Sequence, residues 1–251
     1  MKKFITIYLF LLIGILAFSQ EEDSLIYLNP NKKIYFTDPA ELILQFTQTN
    51  IQDNTARNGI RASYFTNVPY YMHMNFNQHF GIMPGVSIKN IGIKTKDEII
   101  DSVSYYKVMR RVFTAGISAA AKIGAFNKGL WLYGGGGVDW AFHYRQKYYE
   151  KTDKKHITKK GEWLSNTTPN VIPSVFVGVQ TPIGLNVKAT YYFNDFLNQN
   201  YKGTFGDFSK ITQSELFTIT FSLVFKEIKE KVSELGIEQP STMRKEKAIE
   251  L

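Results

Sequence analysis

Apolar and polar residues alternate along much of the chain, and this alternation is the clearest signal in the sequence. In the segment ELFTITFSLVF, which begins at Glu215, every second position from Phe217 to Phe225 holds a large apolar residue. Side chains of a β-strand point alternately to its two faces, so a period of two predicts a strand with one apolar face. Eight segments show this pattern, and they cover residues 41–49, 60–77, 79–93, 108–123, 130–146, 170–180, 185–193 and 215–225.

The connections between these predicted strands alternate in length. Short links lie at residues 77–78, 124–129 and 181–184, and long polar segments lie at residues 50–59, 94–106, 149–166 and 194–213. Up-and-down barrels of the outer membrane have short turns at one end and long loops at the other. A soluble β-sandwich has no reason to place its long loops at one end. The sequence therefore predicts an all-β fold, an eight-stranded antiparallel up-and-down transmembrane β-barrel over residues 40–226.

The alternation alone leaves open which medium the apolar face meets. In a soluble lipocalin-like barrel that face lines the inside, and in a membrane barrel it faces lipid. The second to fifth predicted strands exceed the roughly 9–11 residues that cross a tilted bilayer. Aromatic residues near the ends of the apolar faces, as in interfacial girdles, are Tyr64, Phe76, Phe80, Tyr144, Phe193 and Phe225. Both observations favour lipid outside the barrel and polar groups inside it.

The first nineteen residues have the pattern of an export signal. Lys2 and Lys3 precede an apolar run that ends at Phe18, and Ala17 and Ser19 supply the small residues of a cleavage site. The run is short for a transmembrane span, which favours cleavage over an uncleaved anchor. We therefore expect four parts, namely a signal peptide at 1–19, an N-terminal periplasmic segment at 20–39, the barrel at 40–226 and a partly helical periplasmic tail at 227–251.

Composition narrows the remaining classes of protein. The chain of 251 residues contains no cysteine, which excludes disulfides, thiolate metal sites and cysteine nucleophiles. Its formal net charge is +8, but the basic residues are scattered, and an export signal argues against a nucleic-acid partner. After residue 20, no segment approaches the roughly 18 consecutive apolar residues of a transmembrane helix.

Over residues 40–226 the chain resembles small Gram-negative outer-membrane β-barrel proteins of the porin-like, OmpA-barrel-like class. The resemblance is carried by FGIMPGVSIKNIGI, RRVFTAGISAAAKIG, WLYGGGGVDWAFHYRQK and IPSVFVGVQTPIGLNVKATYYFNDFLNQNY. The last strand resembles the insertion signal of such barrels, which here comprises Phe217, Ile219, Phe221, Leu223 and Phe225. It departs from that signal in lying 26 residues before the end of the chain. The resemblance implies an outer-membrane location and the barrel-assembly machinery as a partner during insertion.

The polar face of the predicted strands supplies a candidate lumen network. Eight strands leave room only for side chains, so we expect a plug of paired charges rather than an open channel. In this plug Asp139 is expected to pair with some of Arg110, Lys122, Arg145 and Lys188. The predicted network comprises Arg61, His73, Lys89, Arg110, Lys122, Asp139, His143, Arg145 and Lys188. A gated or anion-preferring lumen is the alternative, because these cations outnumber Asp139.

The third long segment carries a second candidate site. If the loop is external, its lysines are placed to contact lipopolysaccharide phosphates as point charges. These lysines are Lys151, Lys154, Lys155, Lys159 and Lys160. A solvated charged loop is the simpler interpretation of the same residues. Outer-membrane lipid and lipopolysaccharide are the partners that this site predicts.

The sequence does not predict an enzyme. Asp139 and His143 are four residues apart on one predicted face, roughly 13 Å along a strand, which is too far for direct pairing. His156 and Asp153 lie in the third loop, no GxSxG motif is present, and the four histidines show no metal-ligand spacing. The glycines at 134–137 precede more strand rather than a helix, so they indicate barrel curvature or close side-chain approach instead of a phosphate cradle. We expect no cofactor and no metal.

Together these observations predict a non-enzymatic outer-membrane protein with a structural or interaction role. The role would be exercised through the external loops or the periplasmic tail. Three alternatives from other classes stay open at this point: a narrow gated pore for small solutes, a lipid-modifying outer-membrane enzyme and a soluble lipocalin-like lipid carrier.

Overall fold

The structure is a computed structural model, and it describes residues 33–52, 56–64, 67–100, 103–150 and 157–223. The strands in these ranges are β1 (Ile34–Thr37), β2 (Ala40–Ile51), β3 (Arg57–Asn58), β4 (Arg61–Ser63), β5 (Val68–Asn75), β6 (Phe80–Ile100), β7 (Val103–Ala125), β8 (Leu130–Glu150), β9 (Ile157–Trp163), β10 (Val171–Gln180), β11 (Leu185–Tyr192), β12 (Lys202–Gly203), β13 (Gly206–Asp207) and β14 (Ile211–Leu223). A 3₁₀ helix at Phe126–Lys128 follows β7. The predicted signal peptide, the predicted tail and Phe225 lie outside the described residues.

The described residues include no helix of the length and apolar character that a bilayer crossing requires.

The strands form one large antiparallel sheet that returns to its starting point. Hydrogen bonds join neighbours in the order β1-β5-β6-β7-β8-β10-β11-β14-β2-β4, with β3 added to β6 and β9 added to β8. The two ends of this order meet in one hairpin. Its first arm is β1 followed by β2, its second arm is β4 followed by β5, and β1 pairs with β5 while β2 pairs with β4. The registers agree with this, since Thr37 pairs with Tyr71 and Ile43 pairs with Ser63. The sheet is therefore a closed antiparallel barrel, to which all eight predicted strand segments contribute.

Two features extend the sheet beyond the predicted strands. β1 pairs with β5, so the sheet begins at Ile34 rather than near residue 40. The polar segment at 94–106, predicted to be a loop, consists mainly of the ends of β6 and β7, which stay paired as far as Ile100 and Val103. That prediction was wrong because a strand that leaves the membrane is polar on both faces. It then lacks the alternation that marks a half-buried strand.

A β-bulge in β8 reverses the faces of its outer half. The pairing with β7 slips between Thr114–Ala141 and Phe113–His143, so that Phe142 is an extra residue. Beyond it Tyr144 is buried inside the barrel, whereas the sequence pattern predicted this residue in the outer aromatic girdle. A single inserted residue shifts every later side chain to the opposite face, and the sequence pattern gives no count of such insertions.

The outer wall is apolar and the interior is polar. Ile117 of β7 is 68% exposed, whereas Asp139, which projects inwards from the adjoining β8, is 1% exposed. The outward apolar residues of β7 run from Phe113 to Ile123. This stretch covers about 33 Å along the strand at roughly 3.3 Å per residue. With the usual strand tilt it corresponds to about 25 Å of membrane thickness, the height of the apolar band of outer-membrane barrels.

Two clusters of buried side chains close the barrel at its opposite ends. The cluster at the long-loop end contains Ile91, Ile93, Val112, Ala141, Tyr144, Ile172, Tyr192, Phe196, Leu197, Phe205, Phe208, Ile211 and Leu216. The cluster at the short-turn end contains Met83, Ala120, Phe126, Trp131 and Tyr133. Charged and hydrogen-bonding side chains fill the space between the two clusters.

Candidate functional site

Two ion pairs lie in the middle of the lumen. Lys188 Nζ lies 3.1 Å from Glu41 Oε1 and 2.8 Å from the hydroxyl of Tyr71. Lys89 Nζ lies 2.8 Å from Asp139 Oδ2. All four charged side chains point inwards from different strands, and each pair spans one intervening strand of the wall. A cavity of about 20 Å³ remains among them, which is about the size of one water molecule.

Asp139 has a different partner from those that the sequence suggested. Its carboxylate binds Lys89, and none of Arg110, Lys122, Arg145 or Lys188 forms the expected salt bridge with it. The pairing depends on Gly116 of the neighbouring strand, because a Cβ at that position would collide with Asp139 Oδ1. Strand register, which the sequence does not reveal, decides which cation faces this carboxylate.

Lys122 occupies a cage of rings near the short-turn end. Its ammonium lies 3.1 Å from His73 Nδ1 and 3.3 Å from the Tyr35 hydroxyl. It also lies 4.7 Å from the centre of the Phe126 ring and 5.4 Å from that of Trp131. Rings of this kind stabilise a cation through their negative faces. Lys122 and His73 thus belong to the interior, where they help to fill the lower lumen.

A gap in the strand pairing is closed by side chains. β4 ends at Ser63 and β5 begins at Val68, and Asn90 of β6 lies beside this gap, where its amide donates to Asn67 Oδ1. Arg61 donates to the carbonyl and to the side-chain oxygen of Asn90, at 3.1 and 2.5 Å. Gln45 donates to the same carbonyl and accepts a hydrogen bond from the Gly92 amide, at 3.0 and 2.6 Å. These bonds replace the missing ladder, which accounts for a buried arginine at position 61.

A third buried ion pair lies nearer the long-loop end. Arg110 NH2 is 2.5 Å from Glu98 Oε1, and both side chains are almost fully buried. The Arg110 guanidinium also lies 5.7 Å from the centre of the Phe208 ring. Glu98 belongs to the segment that was predicted to be a loop, so the sequence pattern offered no reason to pair these residues. Arg110 therefore supports the external end rather than the middle of the lumen.

The segment 193–210, here called the lid, folds over the external mouth of the barrel. Phe196, Leu197, Phe205 and Phe208 of the lid are buried in the upper cluster. The lid is attached at its base by the Asp195 carboxylate, which accepts a bond of 2.5 Å from the Ser214 amide. At its tip, the Thr204 carbonyl accepts from Lys160 Nζ at 3.0 Å, and the Phe205 carbonyl accepts from the Tyr148 hydroxyl at 3.3 Å. The sequence predicted only a polar loop here.

Strands β6 to β9 rise beyond the membrane band as a projecting sheet. β6 and β7 are paired over 21 and 23 residues, and β9 pairs with the outer half of β8. At the base of this sheet, Trp163 stacks on Phe142 with ring centres 5.9 Å apart, and His143 lies 4.5 Å from Trp163. This aromatic row marks the upper edge of the apolar wall.

His143 and Arg145 lie on the outer surface of the projecting sheet rather than in the lumen. The bulge at Phe142 places both side chains outside, so their prediction as lumen residues was wrong. The other predicted lumen residues lie inside the barrel, at the positions described above.

The remaining candidate residues fall in two groups. Lys159 and Lys160 lie on β9, and they point to opposite faces of the projecting sheet; Lys151, Lys154 and Lys155 lie outside the described residues. In the predicted insertion strand Phe217, Ile219, Phe221 and Leu223 point outwards from β14. The neighbouring Thr218, Thr220 and Ser222 are buried inside.

The described residues contain no group of three or more histidine and acidic side chains that could hold a metal ion. His73 Nε2 is hydrogen-bonded to Thr37 Oγ1, 3.0 Å away. Its other ring nitrogen contacts the Lys122 ammonium rather than a carboxylate. His143 and Asp139 lie on opposite faces of β8. No pairing of histidine with an acid is therefore seen in the described part of the interior.

The apolar wall, the polar interior and the loop asymmetry together have one explanation. The chain is an antiparallel β-barrel protein of the outer membrane. Barrels of this kind have short periplasmic turns and longer external loops, so we expect the lid and the projecting sheet to be external.

No protein-family model matches the chain, and no curated protein sequence is similar to it. Similar solved structures include Ail, the attachment invasion locus protein of Yersinia pestis, in complex with the heparin analogue sucrose octasulfate. That match has a TM-score of 0.37 and 10% identity, and it covers 77% of this chain and 99% of Ail. The outer membrane protein OprG from Pseudomonas aeruginosa matches with a TM-score of 0.32 and 9% identity over 76% of this chain and 93% of OprG. At these values the likeness carries no inference about ligands or partners.

Proposed function

We propose that the protein is a non-enzymatic interaction protein that presents a rigid external platform to a partner at the cell surface. The platform comprises the projecting sheet of β6 to β9 and the lid. The observation that carries the proposal is the attachment of the lid to the sheet through Lys160–Thr204 and Tyr148–Phe205. Buried aromatic residues beneath these bonds hold the two parts as one body. A preformed surface binds a partner with less loss of conformational entropy than mobile loops do.

The free edge of β9 suggests how the partner is bound. In the described part of the chain β9 is hydrogen-bonded to β8 on one side only. The backbone groups on its other side are available to an incoming strand, which is a recurrent mode of peptide recognition. Trp163 on the outer face would supply a side-chain contact beside such a strand. An extended segment of a partner protein is thus the ligand class that this edge fits.

The interior supports this proposal over a narrow pore. Two ion pairs lie in the lumen, and an apolar cluster lies at each end. Opening a path would require breaking buried ion pairs and lifting the lid from its aromatic contacts. Such a rearrangement is costly, because separated charges would be left without partners.

The test combines conductance with hydrogen exchange on the full barrel. In planar bilayers we expect no unitary current steps. In nanodiscs we expect the amides of the paired ends of β6 and β7 and the buried part of the lid to exchange as slowly as those of β10. The proposal would be overturned by current steps that disappear when the lid is cross-linked to β9. Rapid exchange throughout the lid and the projecting sheet would also contradict a rigid platform.

A further inference from the structure

The outward face of the projecting sheet carries a grid of basic side chains. The register aligns Lys94 with Met109, Lys147 and Lys159, and Lys96 with Lys107, across β6 to β9. One row nearer the membrane, Arg111 of β7 lies opposite Arg145 of β8. We call this set of seven cations the basic face. Its members are Lys94, Lys96, Lys107, Arg111, Arg145, Lys147 and Lys159.

These cations are close to one another and lack carboxylate partners among the residues that the structure describes. Lys94 donates to the Ile60 carbonyl at 3.0 Å, and Lys107 lies 3.7 Å from the centre of the Tyr149 ring. Nearby Asp97 is paired with Arg57, outside this set. Arg111 Nε has no hydrogen-bond partner in the described chain although it is buried. Within the described residues, the face is therefore a cluster of positive charge without paired carboxylates.

Like charges also lie directly opposite one another across the strands. The three pairs are Lys96–Lys107, Arg111–Arg145 and Lys147–Lys159. Directly opposed like charges destabilise a sheet, since their side chains are separated by only about 5 Å. Partial burial and then the neighbouring cations Arg111 and Lys159 lower the pKa of Lys147. Partial burial and Lys96 lower the pKa of Lys107 in the same way.

The position of the basic face relative to the membrane identifies its ligand. Along β7, Arg111 is two residues beyond Phe113, which belongs to the aromatic row at the edge of the apolar wall. The basic residues thus begin about 7 Å beyond that row along the strand and face sideways, as the lipid-facing residues do. Phosphate groups of outer-leaflet lipid lie at this height and on this side of the barrel.

We propose that the basic face binds the phosphate groups of lipopolysaccharide in the outer leaflet. Arginine presents paired donors to phosphate oxygens, and lysine adds point charges around them. Bound phosphates would relieve the repulsion within all three opposed pairs. The basic face differs from the lysine loop that the sequence predicted as a lipopolysaccharide site. It is spread over four strands, and Lys159 is the one residue that the two sites share. It goes beyond the proposed function, since it concerns the surrounding lipid rather than a partner at the platform.

The test compares two triple variants that remove the same charge. The first is Arg145→Gln, Lys147→Gln and Lys159→Gln on the basic face. The control is Lys128→Gln, Lys202→Gln and Lys210→Gln, three exposed lysines elsewhere. Both variants and the unaltered protein are placed in phosphatidylcholine nanodiscs and titrated with purified lipopolysaccharide, with bound lipid counted by native mass spectrometry. Heat-modifiable migration on gels verifies folding of each sample.

We expect the first variant to bind lipopolysaccharide at least about ten-fold more weakly than the unaltered protein, because each basic group near an anionic surface adds to binding. The control should bind within about two-fold, and dephosphorylated lipopolysaccharide should bind weakly to all three proteins. Without lipopolysaccharide, the first variant should melt at a higher temperature than the unaltered protein. If it does not fold, the single variant Lys159→Gln at the sheet edge replaces it.

Three results would overturn the proposal. Equal loss of binding in both triple variants would indicate general electrostatic attraction. Undiminished binding by the first variant, or by dephosphorylated lipopolysaccharide, would show that phosphates are not held at this face. Preferential binding of a soluble sulfated polysaccharide, lost in the first variant while lipopolysaccharide binding is kept, would assign the face to a different polyanion.

Discussion

Glu41 and Lys188 form a salt bridge of 3.1 Å inside the barrel although 147 positions separate them in the chain. Glu41 belongs to β2 and Lys188 to β11, and β14 lies between these two strands. The pair therefore spans a strand rather than joining direct neighbours. The Tyr71 hydroxyl on β5 accepts a hydrogen bond from the same ammonium, so that three strands of the wall depend on one buried charge.

Replacing Glu41 should destabilise the barrel more than replacing an exposed acid. The substitution Glu41→Gln leaves the Lys188 ammonium without its carboxylate, and loss of one member of a buried pair costs about 3–5 kcal/mol. Urea unfolding in lipid vesicles, followed by tryptophan fluorescence, measures this change in the free energy of unfolding.

The matched control is Glu162→Gln on the exposed strand β9, which should change the free energy of unfolding by less than about 0.5 kcal/mol. The double variant Glu41→Gln with Lys188→Met should recover much of the lost stability, since neither charge is then buried alone. A double variant that is no more stable than Glu41→Gln would show that the salt bridge is not the source of the effect.

Shortening an aromatic side chain of the lid should loosen the lid before it affects the wall. Phe205 is buried against Tyr144, with ring centres 4.8 Å apart. Phe205→Ala removes this contact, and such truncations cost about 3–5 kcal/mol when the side chain is buried. Hydrogen exchange should accelerate within residues 193–210 and stay slow in β10. Phe193→Ala, at an exposed ring, is the control, and an equal effect of both variants would contradict a packed lid.

The bulge in β8 predicts which side chains a water-soluble reagent can reach. Because the native chain has no cysteine, single cysteines can be introduced without background. Arg145→Cys should react in intact cells with a membrane-impermeant maleimide, whereas Gln146→Cys should react only after unfolding. The original alternation predicts the opposite pattern, so reversed labelling would show that β8 has no bulge at Phe142.

The same labelling tests the orientation of the barrel. Lys202→Cys in the lid should react in intact cells, and Lys128→Cys at a short turn should react only after the outer membrane is made permeable. If Lys128→Cys alone were labelled in intact cells, the barrel would have the opposite orientation to the one assigned here.

Salt should stabilise the protein through the basic face. Mobile ions screen the repulsion within Lys96–Lys107 and Arg111–Arg145, and the screening length falls from about 30 Å at 0.01 M salt to about 10 Å at 0.1 M. Thermal unfolding in phosphatidylcholine nanodiscs should therefore shift to higher temperature as salt is added. The triple variant of the basic face should respond less. A larger response in that variant would show that these cations do not repel one another.

The alternation of residues predicted the wall of the barrel well, because every outward position within the membrane faces lipid and is therefore apolar. In β14, Phe217 and Phe221 face outwards and Thr218 and Thr220 face inwards, as the pattern requires. Outside the membrane that rule no longer holds. The ends of β6 and β7 were therefore taken for a loop, although their pairing is continuous.

The contents of the lumen were harder to predict, because they depend on register. The polar face of β5 and β7 could be read from the sequence, and it placed His73 and Lys122 inside. The partner of Asp139 depends on how β6, β7 and β8 align, which no single strand encodes. Glu41 was overlooked because it begins a strand recognised by its apolar residues. Phe205 and Phe208 lie in a segment that was predicted only to be a long polar loop, because nothing in the sequence shows what these rings contact.

The unequal heights of the strands give the molecule a front and a back at the cell surface. β6 to β9 rise well beyond the aromatic row, whereas β10 and β11 end close to it, at Val171 and Tyr192. An approaching molecule meets a wall on one side and a low rim on the other. Neighbouring molecules in a crowded membrane meet the lid most directly across the low rim. Rotation of the barrel about the membrane normal therefore decides what the protein can touch.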